Sequence, residues 1–309
     1  MLKNYLFLVP ILLMSVSNNV NGQEIKIFTT ADFDLRGNVK KCLVRTDYGK
    51  EEYEFNREGL LTKSITRYNE QDYDITYYRY KGDELTEKRL EIYRDKEFDK
   101  STSIANFYIR DTTDTLKITE KIVSYTEEFL DQYEYFYDQH GNLTKIIRTN
   151  DNGIDETNFE YDDLKGEKTK TAIINGTVLE TVRTSVKELK DKSKQTITLT
   201  KRFINGEPTK AVEVILNAKN KVVTKTEYEF DLHTNQFAAV NTVGYTYDPQ
   251  GILLKTIHKK GDATTNKEYI YQFDANENLN WVKQIITPDN TYKTREISYF
   301  KDEVKVEKG

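Results

Sequence analysis

The sequence predicts an all-β protein, an antiparallel meander of repeated β-hairpins forming one long twisted or curled sheet. Three observations lead to this fold class. A seven-residue motif recurs along the chain, and apolar and polar residues alternate with a period of two on either side of it. Residue types that favour strands are also common, with 22 Tyr and 14 Phe, whereas Pro occurs only four times.

The cleanest copy of the motif is Tyr137–Leu143, in which an aromatic residue is followed by Asp138, two free positions, Gly141 and an aliphatic residue. The Asp carboxylate accepts hydrogen bonds from backbone N–H groups just after it, and the Gly takes the left-handed conformation. This pattern predicts a three-residue hairpin loop closed by a bulge. Further copies occupy residues 33–39, 55–61 and 247–253, with looser copies at 216–222 and 273–279.

Such a loop predicts which residues face each other across the hairpin. In the cleanest copy, Tyr137 is expected opposite Leu143 and Tyr135 opposite Lys145. The other copies predict Phe55 opposite Leu61, Tyr53 opposite Lys63, Tyr247 opposite Leu253, Tyr245 opposite Lys255, Phe273 opposite Leu279 and Tyr271 opposite Trp281. One face of each hairpin would then combine aromatic residues, aliphatic residues and Lys.

The N-terminus is expected to be a secretory signal peptide covering residues 1–22. Lys3 precedes an apolar run, Leu6–Val16, which is too short to span a bilayer at about 20 residues, and a cleavage point is expected before Gln23. Residues 23–309 are expected to form a single hairpin-repeat domain. Cleavage would make the net charge of −5 one unit more negative, which argues against nucleic acid as a partner.

Within this domain, the first two hairpins are expected at residues 33–39 and 55–61, with a degenerate unit near 78–85 and a reversal near 110–114. Two Asn-Gly dipeptides, Asn175-Gly176 and Asn205-Gly206, predict two-residue turns on the opposite edge of the meander. The charged stretch Lys187–Lys194 is expected to be a solvated loop and is a candidate boundary. The repeat predicts upward of about 16 strands.

The stretch Tyr135–Leu143 resembles the YD repeat of the RHS family of exported bacterial proteins, and residues 33–39 and 247–253 match it as well. The resemblance implies that successive hairpins form one long antiparallel sheet that can wrap into a shell. Larger members of that family encapsulate a C-terminal toxin or act at the cell surface. For this chain, the resemblance implies strand architecture and export rather than toxin delivery.

Residue patterns typical of catalysis or of cofactor binding are not found in the sequence. The three His show no zinc-ligand spacing, and no nucleophile elbow or phosphate-binding loop occurs. The stretch Asn150–Gly153 lacks the acidic residues of a calcium loop and is expected to be a plain turn. Cys42 is the sole cysteine, interpreted either as an apolar strand residue or as a reactive thiol. We therefore expect no metal, no cofactor and no enzymatic activity.

The candidate binding residues are the aromatic and Lys residues that the predicted register places together: Tyr53, Lys63, Tyr135, Lys145, Tyr245, Lys255, Tyr271 and Trp281. One interpretation is cross-strand packing, in which Lys stems cover apolar surface and keep the sheet soluble. The other is a ladder that stacks sugar rings and pairs with their carboxylates or sulfates.

These observations predict an exported, non-catalytic protein that presents an extended sheet for binding in the periplasm, at the outer surface or outside the cell. The expected partner is a polysaccharide or a cell-surface protein, with no transmembrane segment. The alternative is a structural, adhesion or toxin-associated scaffold without a small ligand. An enzyme acting on envelope polymers is disfavoured because no convergent titratable groups can be located.

Overall fold

The computed structural model describes residues 25–126 and 128–301. The expected signal peptide and its cleavage point before Gln23 lie outside these residues. Within the described part, regular structure consists of 20 strands and one short 3₁₀ helix, Thr30–Phe33. No helix in this part is long and apolar enough to cross a membrane.

The strands in chain order are β1 (Val39–Thr46), β2 (Gly49–Phe55), β3 (Leu61–Arg67), β4 (Tyr73–Lys81), β5 (Glu84–Arg94), β6 (Glu97–Asp111), β7 (Lys117–Ser124), β8 (Phe129–Tyr137), β9 (Leu143–Asn150), β10 (Gly153–Leu164), β11 (Glu167–Ile174), β12 (Thr177–Glu188), β13 (Lys194–Ile204), β14 (Glu207–Leu216), β15 (Val222–Asp231), β16 (Gln236–Tyr247), β17 (Leu253–Lys260), β18 (Ala263–Phe273), β19 (Trp281–Thr287) and β20 (Thr291–Tyr299).

The strands close into a 20-stranded antiparallel barrel. Each strand pairs with its neighbours along the chain, and β20 also pairs with β1, where Cys42 faces Ile297. The predicted all-β antiparallel meander is confirmed, but the long twisted or curled sheet is wrong. The physical reason is that an open sheet would leave two unpaired edges, and the first and last strands satisfy each other instead. Beyond the ladder, the N–H of Phe300 donates to the Asn38 carbonyl at 2.9 Å.

The turns divide between the two ends of the barrel according to their chemistry. Because neighbouring strands run in opposite directions, every turn that follows an even-numbered strand lies at one end. The Asp-containing loops at 138–142 and 248–252 follow β8 and β16, so we name this end the Asp-turn end. The turns Asn175-Gly176 and Asn205-Gly206 follow β11 and β13 and lie at the other end, as predicted. The left-handed φ of Asn175, 48°, and of Gly176, 80°, suits a tight hairpin turn.

The predicted loop geometry is confirmed in the cleanest copy of the motif. One carboxylate oxygen of Asp138 accepts hydrogen bonds from the backbone N–H groups of His140 (2.9 Å) and Asn142 (2.8 Å). Gly141 has a φ of 79°, the left-handed conformation that the loop requires. The Asp therefore recurs because the turn uses its side chain as a backbone acceptor.

Two copies of the motif fold differently from the prediction. Residues 33–39 do not form a hairpin, because Thr30–Phe33 form the 3₁₀ helix and the Leu35 N–H donates to the Thr30 carbonyl at 3.1 Å. The loop after Phe273 is longer than expected, since the Asp274 N–H donates to the Asn280 carbonyl at 2.8 Å. Phe273 therefore faces Trp281 and not Leu279.

The N-terminal segment, residues 25–38, lies inside the barrel. Phe28 packs against one apolar cluster, centred on β1 to β3, and Ile25 packs against another, centred on β8 to β11. Asp34, nine residues after Ile25, reaches a third part of the ring, since its carboxylate lies 3.4 Å from Lys221 Nζ just before β15. The segment must therefore cross the interior, and the wall face that carries both clusters is the inner face.

Two clusters of buried apolar residues lie on this inner face. The first cluster consists of the buried residues Phe33, Leu35, Val39, Cys42, Val44, Tyr53, Phe55 and Leu61. The second consists of Tyr135, Leu143, Ile146, Phe159 and Ala172. Each large side chain buried in this way stabilises the fold by about 1.5–3 kcal/mol.

Candidate functional site

The β-bulge after the turn puts the Tyr and Lys residues that the predicted register had paired on opposite faces of the wall. Tyr137 faces Leu143 as predicted, but the register then shifts by one residue, so Lys145 faces Phe136 and Tyr135 faces Ile146. The extra residue is Thr144, whose hydroxyl donates to the Phe136 carbonyl at 3.1 Å. A slip of one residue turns a side chain to the opposite face of the strand.

The same shift occurs at the other copies of the motif. Lys63 faces Glu54, Tyr53 faces Ser64, Lys255 faces Thr246 and Tyr245 faces Thr256. The predicted pairs Tyr135–Lys145, Tyr53–Lys63 and Tyr245–Lys255 are therefore wrong. Tyr271 faces Gln284 and not Trp281, although its ring centroid is 6.0 Å from that of Trp281.

The eight candidate binding residues consequently divide between the two faces of the wall. The inward-facing residues are Tyr53, Tyr135, Tyr245, Tyr271 and Trp281, and the outward-facing residues are Lys63, Lys145 and Lys255. Two of the Lys lie over other aromatic rings of the outer face, with Lys63 Nζ 5.5 Å from the Tyr77 ring centroid and Lys145 Nζ 5.1 Å from that of Phe136. The eight residues do not form one surface, and their role in binding stays a prediction.

A buried carboxylate organises part of the inner face. Glu120 accepts hydrogen bonds from Asn106 Nδ2 (2.7 Å), Tyr108 OH (2.9 Å) and Tyr135 OH (2.6 Å). Burial, together with the nearby Glu120 charge, raises the pKa of both phenols, so they remain neutral donors. Burial also lowers the pKa of Lys88 on β5, although the Glu120 carboxylate opposes that shift. The arrangement satisfies a buried carboxylate without a contacting cation among these donors.

A second buried carboxylate, on β2, also accepts hydrogen bonds from Tyr hydroxyl groups. Glu51, which is buried, accepts hydrogen bonds from Tyr48 OH at 2.7 Å and Tyr53 OH at 2.6 Å. Burial is the main reason that the pKa of Tyr53 is raised. The sequence signal that could have revealed this is Glu51 two residues before Tyr53, since residues i and i+2 share a face of a strand.

The first cluster forms a pocket for the aromatic ring of Phe33. Its ring centroid lies 4.3 Å from that of Tyr53 and 5.5 Å from that of Phe55. Phe33 itself is buried, and so is Leu35 two residues later, whereas Asp34 between them is exposed. The segment thus presents alternate side chains to the inner wall.

Polar side chains near the seam between β1 and β20 hold the backbone of the same segment. Arg295 on β20 donates to the Phe33 carbonyl at 2.9 Å and to the Asp34 carbonyl at 3.4 Å. Its guanidinium lies 3.5 Å from the Trp281 ring centroid, and burial lowers its pKa. The sequence could not reveal this site, because Arg295 and Phe33 are 262 positions apart.

The outer face carries cross-strand ion pairs of both signs. Glu52 contacts Lys41 Nζ at 2.9 Å and Arg67 Nε at 3.0 Å across β1, β2 and β3. Further pairs on this face join Arg45 with Glu296, Lys117 with Glu134, Lys145 with Glu156 and Lys255 with Glu268. Exposed pairs of this kind contribute about 0–1 kcal/mol each, so their main effect is to make the wall hydrophilic.

Aromatic side chains also form a continuous row on the outer face, which we name the outer aromatic row. Tyr73 and Tyr93 stack with ring centroids 4.6 Å apart and planes 15° apart. Phe98 lies 5.5 Å from Tyr93, and Tyr125 lies 4.9 Å from Phe98. The guanidinium of Arg67 covers the Tyr73 ring at 4.9 Å. The row therefore crosses the wall from β3 to the turn after β7.

Cys42 lies on a strand and is buried in the first cluster, which fits its interpretation as an apolar strand residue. Burial raises the pKa of its thiol to about 11, so the thiolate that would be needed for reactivity is disfavoured at neutral pH. Among the described residues, no group of three or more His, Cys, Asp and Glu could hold a metal ion.

Comparison with known proteins gives no family. No family model and no curated protein matches the chain. Among solved structures, it is similar to a porin-like protein from Bacteroides uniformis, with a TM-score of 0.33, 10% identity and coverage of 84% of this chain and 96% of that one. For a porin-like protein from Bacteroides vulgatus, the TM-score is 0.25, the identity 12% and the coverage 85% and 98%.

A third similar structure is TcdB2-TccC3 without its hypervariable C-terminal region. Its TM-score is 0.19, its identity 11%, and the match covers 80% of this chain and 18% of that one. At these TM-scores, none of the three similarities carries a functional argument. The resemblance to the YD repeat accordingly stays a sequence-based prediction.

Proposed function

We propose that the protein is an exported, non-catalytic binding barrel of the cell envelope, which contacts its partner with its outer face. The N-terminal segment and the two apolar clusters occupy the inner face around β1 to β3 and β8 to β11. The outer face is the broad accessible surface that these contacts leave.

The composition of the outer face supports a wall that contacts water. Lys63, Lys145 and Lys255 face outward, and Glu52 and Glu134 do so on other strands. Placing a single Lys or Arg on the lipid face of a barrel at the bilayer midplane costs about 2–4 kcal/mol. A wall with many such charges is therefore better suited to an aqueous compartment of the envelope.

The outer aromatic row is the observation that carries the proposal. The hydroxyl groups of Tyr93 and Tyr125 donate hydrogen bonds to the carboxylate of Glu91, at 3.1 Å and 2.8 Å respectively. The row combines apolar ring surfaces with hydroxyl groups and lies next to the cation Arg67. This combination fits a partner that is both apolar and polar, such as the sugar rings of a polysaccharide or the surface of another protein. The row is the part of the outer face best equipped for such contacts.

The test is capture of glycans and envelope proteins by residues 23–309. The double variant Tyr93→Ser/Tyr125→Ser is expected to capture at least tenfold less partner than the wild-type chain. Tyr292→Ser, which alters an exposed Tyr on β20 far from the row, is the matched control and should retain it. Equal capture by both variants would show that the row is not the binding surface. Failure to capture any partner would favour the scaffold without a ligand.

A further inference from the structure

We propose that the inner wall at the β1–β20 seam is a peptide-binding site, occupied in cis by the chain's own residues Phe33–Arg36. This proposal does not depend on the function proposed for the outer face. It rests on contacts that recognise the backbone as well as the side chains of this short segment.

The side-chain amide of Asn280 forms hydrogen bonds with both the backbone N–H and the backbone carbonyl of Arg36. Its Oδ1 accepts from the Arg36 N–H at 2.8 Å, and its Nδ2 donates to the Arg36 carbonyl at 2.9 Å. Asn280 is 1% exposed. Its amide is held in place because Nδ2 also donates to Tyr299 OH at 2.8 Å, and that hydroxyl donates to Asp274. The amide thus acts as a preorganised substitute for the peptide group of a pairing strand.

Arg295 completes the backbone recognition by donating to the carbonyls of Phe33 and Asp34. Stacking on Trp281 fixes the plane of the guanidinium. Asn280 and Arg295 together contact the backbone of three of the four residues, so the wall provides backbone donors and acceptors in a sequence-independent way.

Side-chain contacts add selectivity for the sequence of the segment. The Tyr53 and Phe55 rings enclose Phe33, and Leu35 is buried beside it. The carboxylate of Asp34 lies 3.4 Å from Lys221 Nζ. Arg36 Nη2 donates to the Gln250 carbonyl at 3.4 Å. The favoured ligand is therefore a peptide with an aromatic residue, an acidic residue, an aliphatic residue and a basic residue in succession.

The bound segment Phe33–Arg36 is covalently tethered to the wall that binds it. The described chain enters β1 only three residues after Arg36, at Val39. A short tether gives an effective concentration on the order of mM, so a free peptide can compete only when the cis segment is weakened. This determines how the site can be tested.

The experiment measures binding of a fluorescent peptide with the sequence of residues 25–38 to the full chain. The wild-type chain should bind little peptide, because its site is filled. The variant Phe33→Ala should bind the peptide with 1:1 stoichiometry and at least tenfold more tightly than the wild-type chain does. A peptide carrying the same Phe33→Ala change should bind that variant at least tenfold more weakly.

Ala31→Ser is the matched control, since Ala31 belongs to the same segment but is exposed. Its binding of the peptide should equal that of the wild-type chain. A folded Phe33→Ala chain that binds no more peptide than the wild-type chain would overturn the proposal.

A second variant keeps the proposal testable if Phe33→Ala fails to fold. Asn280→Asp keeps the size of the side chain but replaces the donor to the Arg36 carbonyl with an acceptor. Amide hydrogen exchange at residues 35–38 should then be at least tenfold faster, while exchange at the distant ladder between β8 and β9 stays unchanged. Unchanged exchange at residues 35–38, or an equal increase at both places, would contradict the proposal.

Discussion

Tyr135 and Glu120 are joined by a 2.6 Å hydrogen bond on the inner face of the barrel. Tyr135 is only 1% exposed, and Glu120 only 4%. A buried carboxylate is tolerated when donors surround it, and here the phenol is one of three. The aromatic residues of the motif therefore contribute polar contacts to the core as well as apolar area.

Removing the Tyr135 hydroxyl should destabilise the barrel. In Tyr135→Phe, one buried oxygen of Glu120 loses the phenol that donates to it, which costs about 1–3 kcal/mol. Urea unfolding, followed by circular dichroism, measures the change. Tyr292→Phe, at an exposed position, should stay within about 0.5 kcal/mol of the wild-type value. Equal stability of the two variants would show that the hydrogen bond does not matter.

The register of the β8–β9 hairpin can be tested with two adjacent residues. Ile146 points inward and is 2% exposed, while Ile147 points outward and is half-buried. Ile146→Ala should reduce the free energy of unfolding by about 2–5 kcal/mol because it leaves a cavity in the second cluster. Ile147→Ala should cost clearly less in the same urea titration. The reverse order would mean that the bulge at Thr144 is misplaced.

Substitutions at two glycines distinguish strain in the backbone conformation from steric crowding by neighbouring atoms. A Cβ at Gly141 would meet no atom within 4 Å, but its φ is 79°, so Gly141→Ala should cost about 1–2 kcal/mol in conformational strain. Gly244 on β16 is equally uncrowded and has no positive φ. Gly244→Ala should be neutral or stabilise by about 0.4–1 kcal/mol. Thermal unfolding of both variants gives the comparison, and a similar loss in both would exclude the conformational cause.

The thiol of Cys42 should be unreactive in the folded protein. Burial raises its pKa to about 11, so the fold favours the neutral thiol. The associated stability is complete below the ordinary thiol pKa and is lost as the pH rises towards 11. A thiol-specific dye at pH 8 should label Cys42 only after denaturant is added. Rapid labelling of the native chain would support the reactive-thiol interpretation instead.

Strand architecture was predictable because its signals are local. The alternation of side chains, the Asp138 acceptor and the left-handed Gly141 all act within a few residues, and they correctly indicate an antiparallel meander with Asn-Gly turns at the opposite end. The bulge was also implied by the loop, but its consequence for the register was missed. Counting residues outwards from the turn without the extra Thr144 placed Tyr135 opposite Lys145.

The candidate binding surfaces were not predictable, because they depend on closure. Nothing in the local pattern of residues 33–39 distinguishes a hairpin from a segment that enters the interior. That difference arises from partners such as Asn280 and Arg295, which lie 244 or more positions away in sequence. The outer aromatic row was missed for another reason, since Tyr73, Tyr93 and Phe98 lie outside the repeated motif.

The closed ring also has a consequence for the order of folding. Every ladder except one joins strands that are consecutive in the described chain, so most contacts have low sequence separation and can form by local zippering. The exception joins β1 to β20, with Cys42 and Ile297 separated by most of the chain. Loop closure of that length carries a large entropic cost unless the intervening strands are already in place. We therefore expect ring closure to be the last and slowest step of folding, after a nearly complete meander has formed.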